Sequence, residues 1–175
     1  MLHVFPLPLC LVPQAFHYLH HLNAHLWGIF CLVCLQPTMT WGQPPFYVHQ
    51  MIKNSLQPNA VAWSMSSSDA YNASNLNGII SSQVSDDGTN ATIRFVNPRI
   101  VPVILNLSMV GRRGCTSFAS SASLTVLHSA NLFDANTPAE PTKVSPVTRA
   151  ISDLRSIQVP PGSFAIITTS GFQCE

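Results

Sequence analysis

Charge is what this chain of 175 residues has least of: Asp, Glu, Lys and Arg make up 9% of it, against about 25% in an ordinary soluble domain. The formal net charge is +1, so no long-range field draws the protein toward nucleic acid or an anionic membrane surface. The shortage is uneven, with no Asp, Glu, Lys or Arg before Lys53. Long apolar runs are missing too. The longest in the uncharged N-terminal part, Leu26 to Leu35, is 10 residues, and a bilayer-spanning helix needs about 20. No G-x-S-x-G elbow, P-loop or dinucleotide fingerprint occurs, and none of these motif-bound chemistries is expected. No cofactor is expected either.

Acids are also scarce. The seven are Asp69, Asp86, Asp87, Asp134, Glu140, Asp153 and Glu175, and each falls in an expected loop, turn or tail. Two-carboxylate chemistry needs its pair held on a rigid scaffold. Asp86 and Asp87 are neighbours, so in an extended chain their side chains diverge. His128 is expected on a strand, but no Ser/His/Asp set stands out by position. The body reads as a non-catalytic β-domain.

Composition divides the chain into three parts. Residues 1–37 are apolar and carry His17, His20, His21, His25, Cys31 and Cys34. A secretory signal is one reading, although the basic n-region and a clear small-x-small cleavage site are absent. A zinc site is another: His17, His21 and His25 would share one helix face, and Cys31 and Cys34 make a C-x-x-C pair. Histidines before cysteines is not a common finger order, and no carboxylate lies nearby to orient them. A poorly ordered segment, a damaged signal or a gene-model artefact, is preferred to both.

Residues 38–57 hold the one helix expected, over Gln43–Ser55. Pro44 and Pro45 suit a helix start, Tyr47, Val48, Met51 and Ile52 form one apolar stripe, and Pro58 stops it. From residue 58 to 175 the period becomes two. Strands are expected at Val61–Met65, Ile79–Ser85, Asn90–Asn97, Val101–Met109, Ser123–Ser129, Leu154–Val159 and Ser163–Thr169. Asp86-Asp87-Gly88-Thr89 supplies hairpin turn chemistry between the second and third. In the third strand Ala91, Ile93 and Phe95 take one face, and Asn90, Thr92 and Arg94 the face assigned to solvent. Gly111-Arg112-Arg113-Gly114 reads as a solvated turn, since two arginines are no nucleic-acid footprint. Asn131 to Pro146 contains Pro138, Pro141 and Pro146, which exclude an interior strand or helix; Asp134 and Asn136 are expected to start turns there by bonding their own backbone. The whole predicts a mostly β fold, an antiparallel β-sandwich of jelly-roll type preceded by one helix.

Asn72, Asn90 and Asn106 each begin an N-x-[ST] sequon, two of them on the face assigned to solvent, which favours a secreted, glycosylated chain. The five cysteines are an odd number. Cys115 and Cys174 are the two in the body, and a disulfide between them and a pair of buried thiols are both open.

Two segments carry a resemblance. Asp134-Ala-Asn-Thr-Pro138 through Pro141, Val144 and Pro146, followed by Val159-Pro-Pro-Gly-Ser-Phe164, resembles the C-terminal end of α-L-arabinofuranosidases of glycoside hydrolase family 51. Trp41-Gly-Gln-Pro-Pro-Phe-Tyr-Val-His-Gln-Met-Ile52 resembles the last helix of that family's catalytic barrel. The resemblance covers about residues 38 to 170. It implies a β-sandwich packed beside a (β/α)-barrel, with the barrel as partner and plant-type arabinan or arabinoxylan as the parent's substrate. Family members release terminal α-L-arabinofuranosyl groups by a retaining mechanism with two glutamates, both in the barrel. Glu140 and Glu175 match neither, so no catalytic residue carries over. Residues 1–36 match nothing in the family, which predicts a fragment or a truncated gene model whose isolated β-domain exposes apolar surface. The alternative is an independent secreted carbohydrate-binding or adhesion module, with Trp41, Trp63 and Tyr71 as a stacking platform; alternation with Ala62 and Ser64 makes Trp63 a core residue instead.

Overall fold

A computed structural model of the chain describes residues 9–10, 33–36, 39–64, 80–108, 121–131 and 133–170. The chain divides into two compact units: residues 1–50 with 129–145, and residues 51–128 with 146–175.

The first unit holds a small antiparallel sheet in the order β1–β2–β3, from Leu9–Cys10, Val33–Gln36 and Met39–Gly42. Two of these short strands lie within residues 1–37. Helix α1, Pro44–Asn54, begins directly after β3, and the division between the units falls inside it. Gln43 is its N-cap: the Gln43 carbonyl accepts the Phe46 and Tyr47 N–H groups, and the two prolines occupy the turn where an N–H would have no partner. Of the apolar stripe, Met51 is buried while Tyr47, Val48 and Ile52 are half-buried; His49 is exposed. Among the described residues no helix is long and apolar enough to cross a membrane.

The second unit is an unequal sandwich. Its larger sheet has six antiparallel strands in the order β4–β5–β6–β11–β8–β9: Asn59–Ala60, Ile80–Val84, Asn90–Asn97, Ser163–Ser170, Ser121–Leu127 and Val147–Ile151. The smaller pairs β7, Val103–Leu105, with β10, Ile157–Val159. Between them lies the core. Phe95, Leu124, Ala165 and Ile167 from the large sheet meet Ile157 and Val159 from the small one, with Val103, Leu105 and Leu107 closing its rim. The period-two pattern thus sends one face of β6, β8 and β11 inward, as alternation requires.

The β5–β6 hairpin forms where its turn chemistry places it, with Gly88 at a positive φ of 72° that a side chain would strain. Three expected strands are shorter than their patterns. Among the described residues, 101–108 keep only Val103–Leu105, Leu154–Val159 keeps only Ile157–Val159, and Val61–Ser64 follows a two-residue β4 without joining the sheet as a strand. Val61 still donates its N–H to Ser82 O at 3.1 Å.

The expectation for the second face of β6 is overturned. Thr92 and Arg94, assigned to solvent, are buried. Arg94 reaches Ser55, just past the end of α1, so this face of β6 is covered rather than wet. Thr92 Oγ1 has no hydrogen-bond partner there. Desolvating a hydroxyl without compensation costs about 1–3 kcal/mol, so Thr92→Val is expected to raise stability by about 1 kcal/mol, read as a higher urea midpoint at unchanged slope. A lower midpoint would show that the hydroxyl has a partner in solution.

Candidate functional site: a clasp around Asn136

The Asn131 to Pro146 stretch runs between β8 and β9 without strand or helix among its described residues, as its prolines dictate. Its centre is Asn136, which is buried. The side chain does not cap its own backbone as expected. Its Nδ2 donates to Gly42 O at 2.8 Å and to Val144 O at 2.9 Å, and its Oδ1 accepts the Val144 N–H at 2.7 Å. Both N–H donors and one of the two oxygen lone pairs of a buried amide are thereby used.

The backbone of Asn136 is held as closely. The Gln43 side chain forms a closed pair with the peptide, its Nε2 donating to Asn136 O at 2.8 Å and its Oε1 accepting the Asn136 N–H at 3.1 Å. The Trp41 indole N–H donates to the same carbonyl at 3.1 Å. Trp41-Gly-Gln43 and Asn136-to-Val144, the two stretches that carry the family resemblance, therefore bond to each other across 93 to 95 residues of sequence. Gly42 is required at the crossing, because a Cβ there would stand 2.5 Å from Cδ1 of Phe46.

Around this centre the loop is braced. Thr137 and Glu140 exchange backbone hydrogen bonds at 3.2 and 3.1 Å, and Asn131 Oδ1 takes the Phe133 N–H at 3.0 Å. Asp134 accepts the Ser129 hydroxyl and an ion pair from Lys143 at 3.0 Å. The Ser129 hydrogen bond first, then Lys143, holds the Asp134 carboxyl below its usual range. Asp134 raises the Lys143 ammonium correspondingly.

The remaining described acids are scattered. Asp86 accepts from Asn59 Nδ2 at 2.9 Å, Asp153 caps the Arg155 N–H at 2.8 Å, and Glu140 is exposed. Asp87 sits at the hairpin tip, where the Ser85 hydroxyl, then the Thr89 N–H and hydroxyl, lower its pKa from the ordinary 3.8 to about 2. A carboxylate favoured by folding contributes stability above its unfolded value, and that contribution is lost as pH falls through the folded one. The turn should therefore loosen between about pH 4 and pH 2, seen as movement of the Gly88 and Thr89 amide resonances, and Asp87→Asn should abolish that titration. A Thr89 amide titrating near pH 4 in the wild type would contradict it.

No group of three His, Cys, Asp or Glu side chains able to hold a metal occurs among the described residues. His17, His20, His21, His25, Cys31, Asp69, Tyr71, Asn72, Cys115, Cys174 and Glu175 lie outside them. Of the proposed stacking platform, Trp41 is turned inward with 6% of its surface exposed, which removes it as a sugar-facing aromatic; Trp63 is half-buried. His128 ends with its Nδ1 buried and unpaired. What the clasp residues build is a bonded crossing of loop and helix start.

Fold and site together define a β-sandwich domain carrying a helix and a clasped proline loop. The same fold occurs within larger enzymes. The Thermotoga maritima α-L-arabinofuranosidase, solved with arabinose, matches with a TM-score of 0.64 at 17% identity over 81% of this chain and 32% of its own. The family 51 enzyme from Thermotoga petrophila matches with a TM-score of 0.59 at 15% identity over the same shares. A family 51 α-L-arabinofuranosidase from Bifidobacterium longum gives 0.59 at 16% identity, over 80% of this chain and 28% of that one. This chain thus spans about a third of the length of the structures it matches, and the likeness is one of fold. No protein-family model matches the sequence and no curated protein does.

Proposed function

We propose that the chain is the non-catalytic C-terminal accessory domain of an α-L-arabinofuranosidase-type glycoside hydrolase, the parent enzyme releasing terminal α-L-arabinofuranosyl groups from arabinan or arabinoxylan. The observation that carries the reading is the fold match over 81% of this chain to enzymes about three times as long. In this role the domain gives a catalytic barrel a rigid flank, and the clasp fixes the start of α1 against the loop. A net charge of +1 supplies no long-range pull toward nucleic acid, and a secretory route fits the three sequons.

The test has two arms. The purified chain is expected not to hydrolyse an aryl α-L-arabinofuranoside. Co-expressed with a family 51 barrel deprived of its own β-domain, it is expected to copurify and to raise the barrel's Tm. Turnover by the isolated chain that a single substitution within it abolishes would overturn the reading, as would failure to associate.

A further inference from the structure

The structure separates two sequons that are equivalent in sequence. Asn90 is the first residue of β6, paired with Ser170 of β11, and is half-buried. Its Nδ2, the atom that would bear a sugar, donates to Thr89 Oγ1 at 3.1 Å. Its backbone N–H is held by Ser85 Oγ at 3.0 Å and its carbonyl by the Ser85 N–H at 2.9 Å. The sequon hydroxyl belongs to Thr92, which is 0% exposed. A glycan at Asn90 would have to emerge from a closed strand pair beside the hairpin turn.

Asn106 is placed differently. Val103 and Leu105 of β7 and Leu107 beyond it pack against the core, and the Leu107 N–H is tied to Leu154 O at 2.9 Å. Alternation then turns Ile104, Asn106 and Ser108 outward, and all three are exposed. Ile104 is 69% exposed, and Ile100 and Val101, just before the strand, are 90% and 44% exposed. An outward amide anchored on both sides by inward leucines, beside an uncovered apolar strip, is a built position for a solubilising sugar.

We propose that Asn106 is an N-glycan acceptor whose glycan covers the Ile100–Val101–Ile104 strip, and that Asn90 is unmodified in the folded protein. The inference rests on the secretory reading above. The donor is a polyprenyl diphosphate oligosaccharide: a bond forms between Asn106 Nδ2 and the anomeric carbon, the anomeric C–O bond to the diphosphate breaks, the lipid diphosphate leaves, and the amide gives up one proton. Transfer takes place on the extended chain, and only products that fold are secreted.

The full chain behind an appended secretory leader, expressed in eukaryotic cells, tests the site independently of its natural routing. In the secreted, folded fraction, Asn106→Gln and the gentler Ser108→Ala are each expected to remove one endoglycosidase-sensitive step on a gel, and Asn90→Gln to remove none. Enzymatic deglycosylation of wild type is expected to increase binding of an apolar dye, with Ile104→Ser reducing that increase. An unmodified Asn106 peptide in wild-type material, or a glycan on Asn90 of folded protein, overturns the proposal. Because the leader is supplied, the natural routing of the protein enters neither outcome, and a failure here is a failure of the site assignment.

Discussion

Replacing Asn136 with alanine is expected to cost about 3–5 kcal/mol and to release the Asn131–Pro146 loop, since each buried polar group orphaned by losing its partner costs about 1–3 kcal/mol. Three groups are orphaned at once: the carbonyls of Gly42 and Val144 and the N–H of Val144. Water entering the vacated volume offsets part of that, which keeps the figure below the sum. The change should appear as accelerated hydrogen exchange at the Val144 amide and a fall in the urea midpoint. Asn136→Asp separates hydrogen bonding from volume. Its Oδ1 still accepts from Val144, but an anionic oxygen replaces the Nδ2 that faces two carbonyls, so it should be as damaging as alanine and should recover partly as the carboxyl protonates in acid. Wild-type exchange at Val144 in both variants would refute the clasp.

The second large effect is expected at Arg94. The residue is 7% exposed and has no acidic partner among the described residues; its guanidinium donates to Ser55 Oγ at 3.1 Å and to Ser55 O at 2.6 Å. Ser55 follows the last residue of α1, so the cation meets a carbonyl at the negative end of the helix. Two terms oppose each other. Hiding a guanidinium from water costs several kcal/mol, and burial does lower the Arg94 pKa. Against this stand hydrogen bonds from a charged donor, about 1.5–3 kcal/mol each, and the helix terminus, about 0.3–1 kcal/mol and up to about 2 when partly buried. The attractive terms win narrowly. Arg94→Ala should therefore destabilise by about 2–3 kcal/mol, because it orphans the Ser55 carbonyl and empties space beside Ile166, its cross-strand neighbour on β11. Arg94→Met fills that space and sheds the buried charge, and should cost about 1 kcal/mol less than alanine. A methionine variant more stable than wild type would show that desolvation dominates.

Much of the fold can be read from local chemistry, and its failures are physical. The β5–β6 hairpin is legible because turn residues and alternation agree over a short span. The α1 start is legible because Pro44 and Pro45 tolerate few other places. β9, Val147–Ile151, is not: it is an edge strand with most of its residues exposed, so it carries no apolar alternation to find. β6 misleads in the opposite direction. Polarity at Thr92 and Arg94 imitates a wet face, and the chain at the end of α1, far away in sequence, makes it a covered one. The clasp is invisible to any window, since Trp41, Gln43 and Asn136 meet over more than 90 residues. Prolines reveal that the loop is ordered, and family resemblance marks both of its halves, but nothing in the sequence says that the halves touch.

The strand order of the large sheet has a consequence for synthesis. β11, the final described strand, lies between β6 and β8 and pairs with both along nearly its whole length. As the chain leaves the ribosome, β4–β5–β6 and β8–β9 can assemble only as separate ribbons, each presenting its future inner edge unpaired. They cannot join until residue 170 has cleared the exit tunnel, so the sheet closes in one late step by insertion of its keystone. Nascent chains should thus carry two sticky edges until β11 emerges, and loss of the last dozen described residues should prevent the sheet from forming rather than shorten it by a strand.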